Sequence, residues 1–270
     1  MNSTITHTVD VELPGVGSVA VRISERGEGR PILLLHGGAG LVSVAAFADR
    51  FAAERHARVL TPTHPGFDGT ERPESLTTVG ELAALYVALL DTLELTDVTV
   101  VGNSVGGWIA AELALLHPDR VSSVVLVDAV GIEAPDHPII DFFALDLAQI
   151  ADYSYADPDT YRIDPAQLSP AVLQVMAANR GTLQVYGGSM VDPTLRGRLP
   201  EITLPTLVIW GEADRVTDPE NGRAFADAIP DAQLVIMKDT GHLPQIESPA
   251  ELISLLWNFA DTDGFGQPAA

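Results

Sequence analysis

The sequence predicts an α/β domain: a mostly parallel β-sheet flanked by helices, with a helical cap inserted late in the chain. Short β-favouring runs alternate with longer segments of helical periodicity up to about residue 130, and again after about residue 200. Between these parts, residues 131–199 contain short helix-like pieces separated by prolines and no convincing strand. We therefore predict a core formed by residues 1–130 and 200–270, with residues 131–199 inserted in it as a cap.

The individual strands are predicted from apolar, β-branched runs bounded by glycine and proline. They cover residues 4–13, 18–24, 31–35, 58–62, 98–101, 121–128, 206–210 and 233–237. The first two form a hairpin through the turn at 14–17. The first predicted helix ends near residue 55, the second covers 77–93, and the third ends at His117-Pro118. Two more are predicted over 219–228 and 249–259, followed by a frayed tail over 261–270.

Composition restricts the function. The chain has 270 residues and a net charge of −22, an acidic balance that disfavours binding to nucleic acid or to anionic membranes. It has no cysteine, which excludes disulfides, thiolate metal sites and cysteine nucleophiles. Its first residues lack the layout of a secretory signal, so we expect a cytoplasmic protein. The expected partner is a small-molecule substrate. The oligomeric state does not follow from the residues, and a homodimer is one alternative.

The strongest local signal lies at residues 102–106, where a β run enters Gly-Asn-Ser-Val-Gly and a helix follows. A serine at the tip of such a turn takes a cramped backbone conformation, which requires flanking residues without side chains, here Gly102 and Gly106. The turn exposes the Ser104 hydroxyl and directs the Val105 N–H at whatever that hydroxyl attacks. A chance match in a glycine-rich chain is the alternative, but the position between strand and helix favours a nucleophile elbow.

A serine nucleophile needs a base, and the base needs a group that holds its tautomer. His242 is the candidate base, because it follows the last strand at the sheet edge where Ser104 lies. Asp214, just beyond another strand, is the preferred orienting acid. Asp128, at the end of the strand 121–128, is its rival, and Asp239 is too near His242 in sequence to be preferred. The histidines and carboxylates lack metal-ligand spacing on shared elements, so no metal site is predicted.

An acyl-transfer site also needs two donors for an oxyanion. The backbone N–H groups of Gly38 and Val105 can supply them. The substrate pocket is expected to be bordered by apolar side chains, namely Trp108, Phe142, Phe143 and Leu243. Core packing explains Trp108 at least as well, and packing of the cap onto the sheet must explain most of the cap's apolar residues.

From about residue 4 to residue 259, the chain resembles the α/β-hydrolase superfamily. The motifs that carry the resemblance are His36-Gly37-Gly38, Pro65-Gly66-Phe67, the elbow at 102–106, the run 211–216 and Gly241-His242. The resemblance implies an eight-stranded, mostly parallel sheet, a cap after the sixth strand, and no cofactor. The Ser104–Asp214–His242 order along the chain also agrees with this fold.

The function we expect is hydrolysis of a small, largely hydrophobic ester through an acyl-enzyme on Ser104. Residues 102–107 also resemble the elbow of hydrolases that cleave carbon–carbon bonds in ring-fission products of aromatic degradation. Those enzymes usually carry a tryptophan after the histidine and an arginine in the cap, whereas here Leu243 follows His242 and Arg180 is the candidate counterpart. A non-catalytic ligand-binding member of the fold is the third alternative.

Overall fold

The computed structural model describes residues 4–261 and contains one eight-stranded sheet in the order β1-β2-β4-β3-β5-β6-β7-β8. Its strands are β1 (Ile5–Leu13), β2 (Gly17–Arg26), β3 (Arg30–Leu35), β4 (Ala57–Pro62), β5 (Val98–Asn103), β6 (Val121–Val127), β7 (Thr206–Gly211) and β8 (Gln233–Met237). β1 pairs with β2, and β2 with β4, in antiparallel fashion, whereas the pairs from β4 to β8 are parallel. The predicted sheet and its N-terminal hairpin are confirmed.

Helices connect the parallel strands and fill the long interval between β6 and β7. They are α1 (Val42–Glu54), α2 (Val79–Thr92), α3 (Val105–Leu115), α4 (Leu147–Ser154), α5 (Pro158–Tyr161), α6 (Pro170–Gly187), α7 (Leu195–Arg198), α8 (Pro219–Ala228), α9 (Pro244–Glu247) and α10 (Pro249–Asp261). The predicted tail beyond residue 261 lies outside the described residues. Among those residues, no helix is both long and apolar enough to cross a membrane.

The parallel strands are buried on both faces. Along β3, Leu33 and Leu35 belong to the core that contains α2 and α3, while Ile32 and Leu34 belong to the core that contains α1 and α10. Side chains alternate between the faces of a strand, so a run that is apolar at every position identifies a strand covered by helices on both sides. This burial fixes the register of the sheet, and therefore the position of the loops at its carboxyl edge.

The helical segment, residues 131–199, contributes no strand to the sheet; its described strand-like contact is one bridge between Gly131 and Val191. It is anchored to the rest of the fold by side chains in the middle of α6 and at the end of α7. Asn179 exchanges two hydrogen bonds with Asp68, each 2.8 Å long. Arg198 donates two hydrogen bonds, of 2.7 and 2.6 Å, to the Glu112 carboxylate on α3. The boundaries proposed for a separate cap stay a prediction.

Candidate active site

Ser104 lies in a strained turn between β5 and α3. Its backbone has φ 58° and ψ −121°, a conformation that side chains disfavour. The two flanking glycines are required by space: a Cβ on Gly102 would lie 2.0 Å from the Gly106 carbonyl oxygen, and one on Gly106 would lie 2.3 Å from that of Leu35. The strand and the helix can therefore pass at this distance only without these side chains, as the sequence pattern predicts.

His242 and Asp214 meet at the same edge of the sheet. The imidazole Nδ1 lies 2.8 Å from Asp214 Oδ2, and both side chains are buried. The other carboxylate oxygen accepts hydrogen bonds from the N–H groups of Val216 and Thr217, at 2.8 and 3.1 Å. Because Nδ1 faces a carboxylate, it carries the proton, and Nε2 is left as the lone-pair atom that can accept one.

One cavity brings Ser104 and His242 together. Its lining comes from the loop after β3, the elbow, the helical segment and the loops after β7 and β8: Gly37, Gly38, Ala39, Ser43, Asn103, Ser104, Phe142, Ile150, Ser154, Leu183, Met190, Val216, His242 and Leu243. No hydrogen bond joins the Ser104 hydroxyl to His242 in the described part of the chain. The arrangement leaves a hydroxyl and an imidazole facing one largely apolar space, which suits nucleophilic attack on a bound carbonyl.

Asn103 connects the elbow to the His242 loop, a role that no sequence motif indicated. Its side-chain amide donates to the His242 carbonyl oxygen at 3.0 Å, and its own oxygen accepts from Gln245 at 3.1 Å. The position directly before Ser104, at the end of a buried strand, is the signal that could have identified it. The His242 N–H also donates to the Ser154 carbonyl oxygen at 2.7 Å, which ties the loop to α4.

The two candidate oxyanion donors come from two loops at the carboxyl edge of the sheet, the elbow after β5 and the loop after β3. Val105 begins α3, and Gly38 lines the cavity. Neither N–H has a hydrogen-bond partner among the described residues. A Cβ on Gly38 would lie 2.6 Å from Leu183 Cδ2, so α6 of the helical segment packs directly on this loop. Gly38 therefore borders the cavity, and the role of both N–H groups as oxyanion donors stays a prediction.

Two buried histidines shape the loop that carries Gly38. His36 Nδ1 donates to the Gly37 carbonyl oxygen at 2.7 Å, and its Nε2 accepts from the His64 N–H at 3.1 Å. His64 Nε2 donates to the His36 carbonyl oxygen at 2.9 Å, which leaves its Nδ1 to accept from Tyr86. Each ring is therefore neutral with a single tautomer. Burial lowers the pKa of His36 to about 4 and lowers the pKa of His64 well below its usual range.

Asp214, not its rival Asp128, forms the hydrogen bond with His242. Asp128 is fully buried and accepts a hydrogen bond of 2.7 Å from the Gly211 N–H. Asp239 is exposed. The oxygens of Asp128 and Asp214 and a nitrogen of His242 lie within 4.8 Å of one another, and the hydrogen bond between Asp214 and His242 already joins two of these three residues. No local sequence pattern contains this grouping, because the three residues follow three separate strands.

Of the four predicted pocket residues, Phe142 and Leu243 line the cavity, whereas Trp108 and Phe143 are not in its lining. Trp108 is 6% exposed and packs in the core, where a Cβ on Gly131 would touch its ring. Phe143 packs on the same core from the outside. The lining residues that the sequence did not single out include four large apolar ones, Ile150, Leu183, Met190 and Val216. Nothing in an apolar helix pattern distinguishes a residue facing a cavity from one facing a core.

Arg180, the candidate for an arginine in the cap, is engaged in structure. Its guanidinium donates to the carbonyl oxygens of Phe142 and Leu145, both at 2.9 Å. It also lies over the rings of Phe142 and Phe143, at 5.3 and 5.8 Å from their centroids. Arg180 therefore shapes the 3-10 turn Phe142–Ala144 and is not in the lining of the cavity.

Comparison with known proteins identifies the family of the chain. The model of the alpha/beta hydrolase family matches residues 32–255, and the chain belongs to this family. It is 27% identical over 258 residues to the 2-hydroxy-6-oxo-6-(2'-aminophenyl)hexa-2,4-dienoic acid hydrolase of Metapseudomonas resinovorans, covering 90% of this chain and 88% of that protein. It is 26% identical to Lipase 3 of Moraxella sp. (strain TA144), covering 82% of this chain and 74% of the lipase.

Among solved structures, a thermophilic esterase from Thermogutta terrifontis has the same fold, with a TM-score of 0.77 and 22% sequence identity. The match covers 96% of this chain and 100% of the esterase. The superfamily resemblance is therefore confirmed, and the protein is a hydrolase of the α/β type.

Proposed function

We propose that this hydrolase cleaves a small, neutral, largely hydrophobic ester through an acyl-enzyme on Ser104. The observation that carries the proposal is the cavity shared by Ser104 and by a His242 whose Nδ1 is bonded to Asp214 at 2.8 Å. That hydrogen bond leaves Nε2 as the proton acceptor, which is the state a general base requires. The helical segment would act as the cap that closes the site over the substrate.

The reaction follows from these positions. The Ser104 oxygen attacks the ester carbonyl while its proton passes to His242 Nε2. The negative oxygen of the tetrahedral intermediate accepts hydrogen bonds from the N–H groups of Val105 and Gly38. The C–O bond then breaks as the proton moves to the leaving alcohol. Water, deprotonated by His242, attacks the acyl group and restores the Ser104 hydroxyl. Asp214 holds the imidazole and stabilises its positive charge in both steps.

The proposed substrate class comes from the charge of the lining. None of the residues lining the cavity is lysine or arginine. Arg180, the candidate arginine of the helical segment, donates two hydrogen bonds to backbone carbonyl oxygens. A substrate carboxylate bound there would lose its hydration without gaining a cation, which costs several kcal/mol (roughly). A neutral acyl chain instead gains from Phe142, Leu183 and Met190.

A carbon–carbon hydrolase is the second candidate, and the relatives favour it. The similarity to a dienoic acid hydrolase extends over 90% of this chain. The same serine, histidine and aspartate could serve that reaction, and the difference would lie in recognition of a carboxylate on the substrate. The cavity lacks a lysine or arginine for this purpose, which is why we place the ester first.

A fluorophosphonate probe and two substrates test the proposal. The probe should label the protein at Ser104, and Ser104→Ala should abolish labelling. Ser43→Ala is the matched control, because Ser43 lines the same cavity but its hydroxyl donates to the Gly40 carbonyl oxygen at 2.8 Å. We expect turnover of p-nitrophenyl butyrate to exceed that of a 2-hydroxy-6-oxodienoate. Faster turnover of the dienoate would favour the second candidate, and no labelling or turnover would favour a binding protein.

A further inference from the structure

A second aspartate lies behind the pair formed by His242 and Asp214. Asp128 directly follows β6, has φ 45°, and has no exposed surface. Its Oδ1 accepts the Gly211 N–H at 2.7 Å, whereas its Oδ2 has no hydrogen-bond partner among the described residues if the group is a carboxylate. A buried, half-satisfied carboxylate is costly, so this atom needs a proton of its own or a donor.

The surroundings of Asp128 supply acceptors and negative charge. Oxygens of Asp128 and Asp214 and a nitrogen of His242 lie within 4.8 Å of one another. The charged groups that act on Asp128 are the carboxylates of Asp214 and Glu247. Glu247 is itself bound by the N–H groups of Gly241 and Ala156, at 2.6 and 2.9 Å. Two carboxylates this close in a buried site cannot both ionise without a large penalty.

We propose that Asp128 is a positioning residue: it keeps its carboxyl proton and donates it in a hydrogen bond to Asp214. The proposal rests on the proposed role of the Ser104, His242 and Asp214 set. Burial first, and the charge of Asp214 second, raise the pKa of Asp128 well above its usual range, which agrees with a protonated group at neutral pH.

The shared proton has two consequences for the reaction. Asp214 is held from both sides, by Asp128 on one and by the N–H groups of Val216 and Thr217 on the other, so its carboxylate cannot rotate away from His242. The site behind His242 also carries one negative charge instead of two. An imidazole beside two carboxylates would retain its proton to higher pH and would be a poorer base near neutrality.

The test compares Asp128→Asn with Asp128→Ala and with Asp239→Asn as an exposed control. Asparagine is neutral and can donate through its amide, so Asp128→Asn should keep the pKa of His242, read by NMR titration of its imidazole, unchanged to within about 0.3. It should also keep kcat/KM within about threefold of wild type, whereas Asp128→Ala, without a donor, should lose about tenfold or more.

The results that would contradict the proposal differ from those that it predicts. If Asp128 were ionised, Asp128→Asn would remove a neighbouring charge and lower the pKa of His242 by about one or more. That shift, or equal loss of kcat/KM in the asparagine and alanine variants, would overturn the proposal. Should a variant fail to fold, ¹³C NMR of the wild-type aspartate carboxyls decides: one buried carboxyl should stay protonated at pH 7, and its absence would refute the proposal. The NMR readouts need no turnover, so they separate this proposal from the proposed function.

Discussion

The elbow offers a sharp test of how backbone space controls the site, through Gly106→Ala. A Cβ at Gly106 would lie 2.3 Å from the Leu35 carbonyl oxygen and 2.8 Å from that of His36, both of them main-chain atoms at the end of β3. Ordinary contact begins at 3.4 Å, so α3 would have to move away from β3 by about 1 Å. This movement would separate the loop that carries Ser104 from the loop that carries Gly38.

The expected cost has two parts. Overpacking of this kind destabilises a protein by about 1–3 kcal/mol. Misplacing a nucleophile by about 1 Å relative to its donors costs about 100-fold in rate. We therefore expect the second-order rate constant of fluorophosphonate labelling at Ser104 to fall about 100-fold. Lost stability alone would not lower this rate constant while the variant remains folded.

Gly181→Ala is the matched control. Gly181 lies inside α6, and a Cβ there meets nothing within 4 Å. This change should leave labelling unaltered and raise the free energy of unfolding by up to about 1 kcal/mol, since alanine favours the helix. Labelling rates are measured with circular dichroism and urea unfolding of each variant. Gly106→Ala with a labelling rate within threefold (roughly) of wild type would refute the reasoning.

Three further predictions concern the contacts around the site. Asn179→Ala removes the two hydrogen bonds exchanged with Asp68 and should cost about 1–3 kcal/mol in urea unfolding. It should also lower kcat more than it changes KM; an unchanged kcat would contradict a functional link between α6 and the loop that joins β4 to α2. Arg198→Met leaves the Glu112 carboxylate on α3 without its cation and should lower the unfolding free energy by about 2 kcal/mol. This value is smaller than for a fully buried pair, because the Arg198 side chain is 35% exposed. Adding Glu112→Gln to that variant should restore part of the loss. The lowered pKa of His36, about 4 against 6.5 when unfolded, means that its stabilising contribution is present above pH 6.5 and is lost as the pH falls toward 4. Between pH 7 and pH 4, wild type should therefore lose about 3 kcal/mol more unfolding free energy than His36→Asn, and equal slopes would contradict a neutral, buried ring.

The sheet could be predicted from the sequence because burial on two faces leaves a continuous apolar run. The run at residues 31–35 marks β3 for this reason, and the amphipathic run at 77–93 marks α2. The elbow was predictable because its steric requirement appears directly as Gly102 and Gly106. His242 and Asp214 followed from their positions just after strands, since parallel strands bring their carboxyl ends to one edge.

The rest of the site depends on contacts that no local pattern contains. Preference for Asp214 over Asp128 rested on a motif, and only the 2.8 Å contact to His242 distinguishes them in space. Trp108 is expected at the pocket from its place on the elbow helix and Phe143 from the apolar content of the cap, yet both pack on the core. The engagement of Arg180 with two carbonyl oxygens joins residues more than 30 apart in sequence. Such long-range contacts decide which apolar or charged side chain faces the cavity.

The measurement that bears most directly on the account is intact-protein mass spectrometry of the acyl-enzyme, formed by rapid mixing with p-nitrophenyl butyrate and acid quench. We expect a protein heavier by one butyryl group, mapped by peptide sequencing to Ser104 and absent in Ser104→Ala. His242→Ala should slow both its formation and its decay. A protein that hydrolyses the ester at the wild-type rate with Ser104 replaced, or that carries the acyl group on another residue, would contradict the central claim.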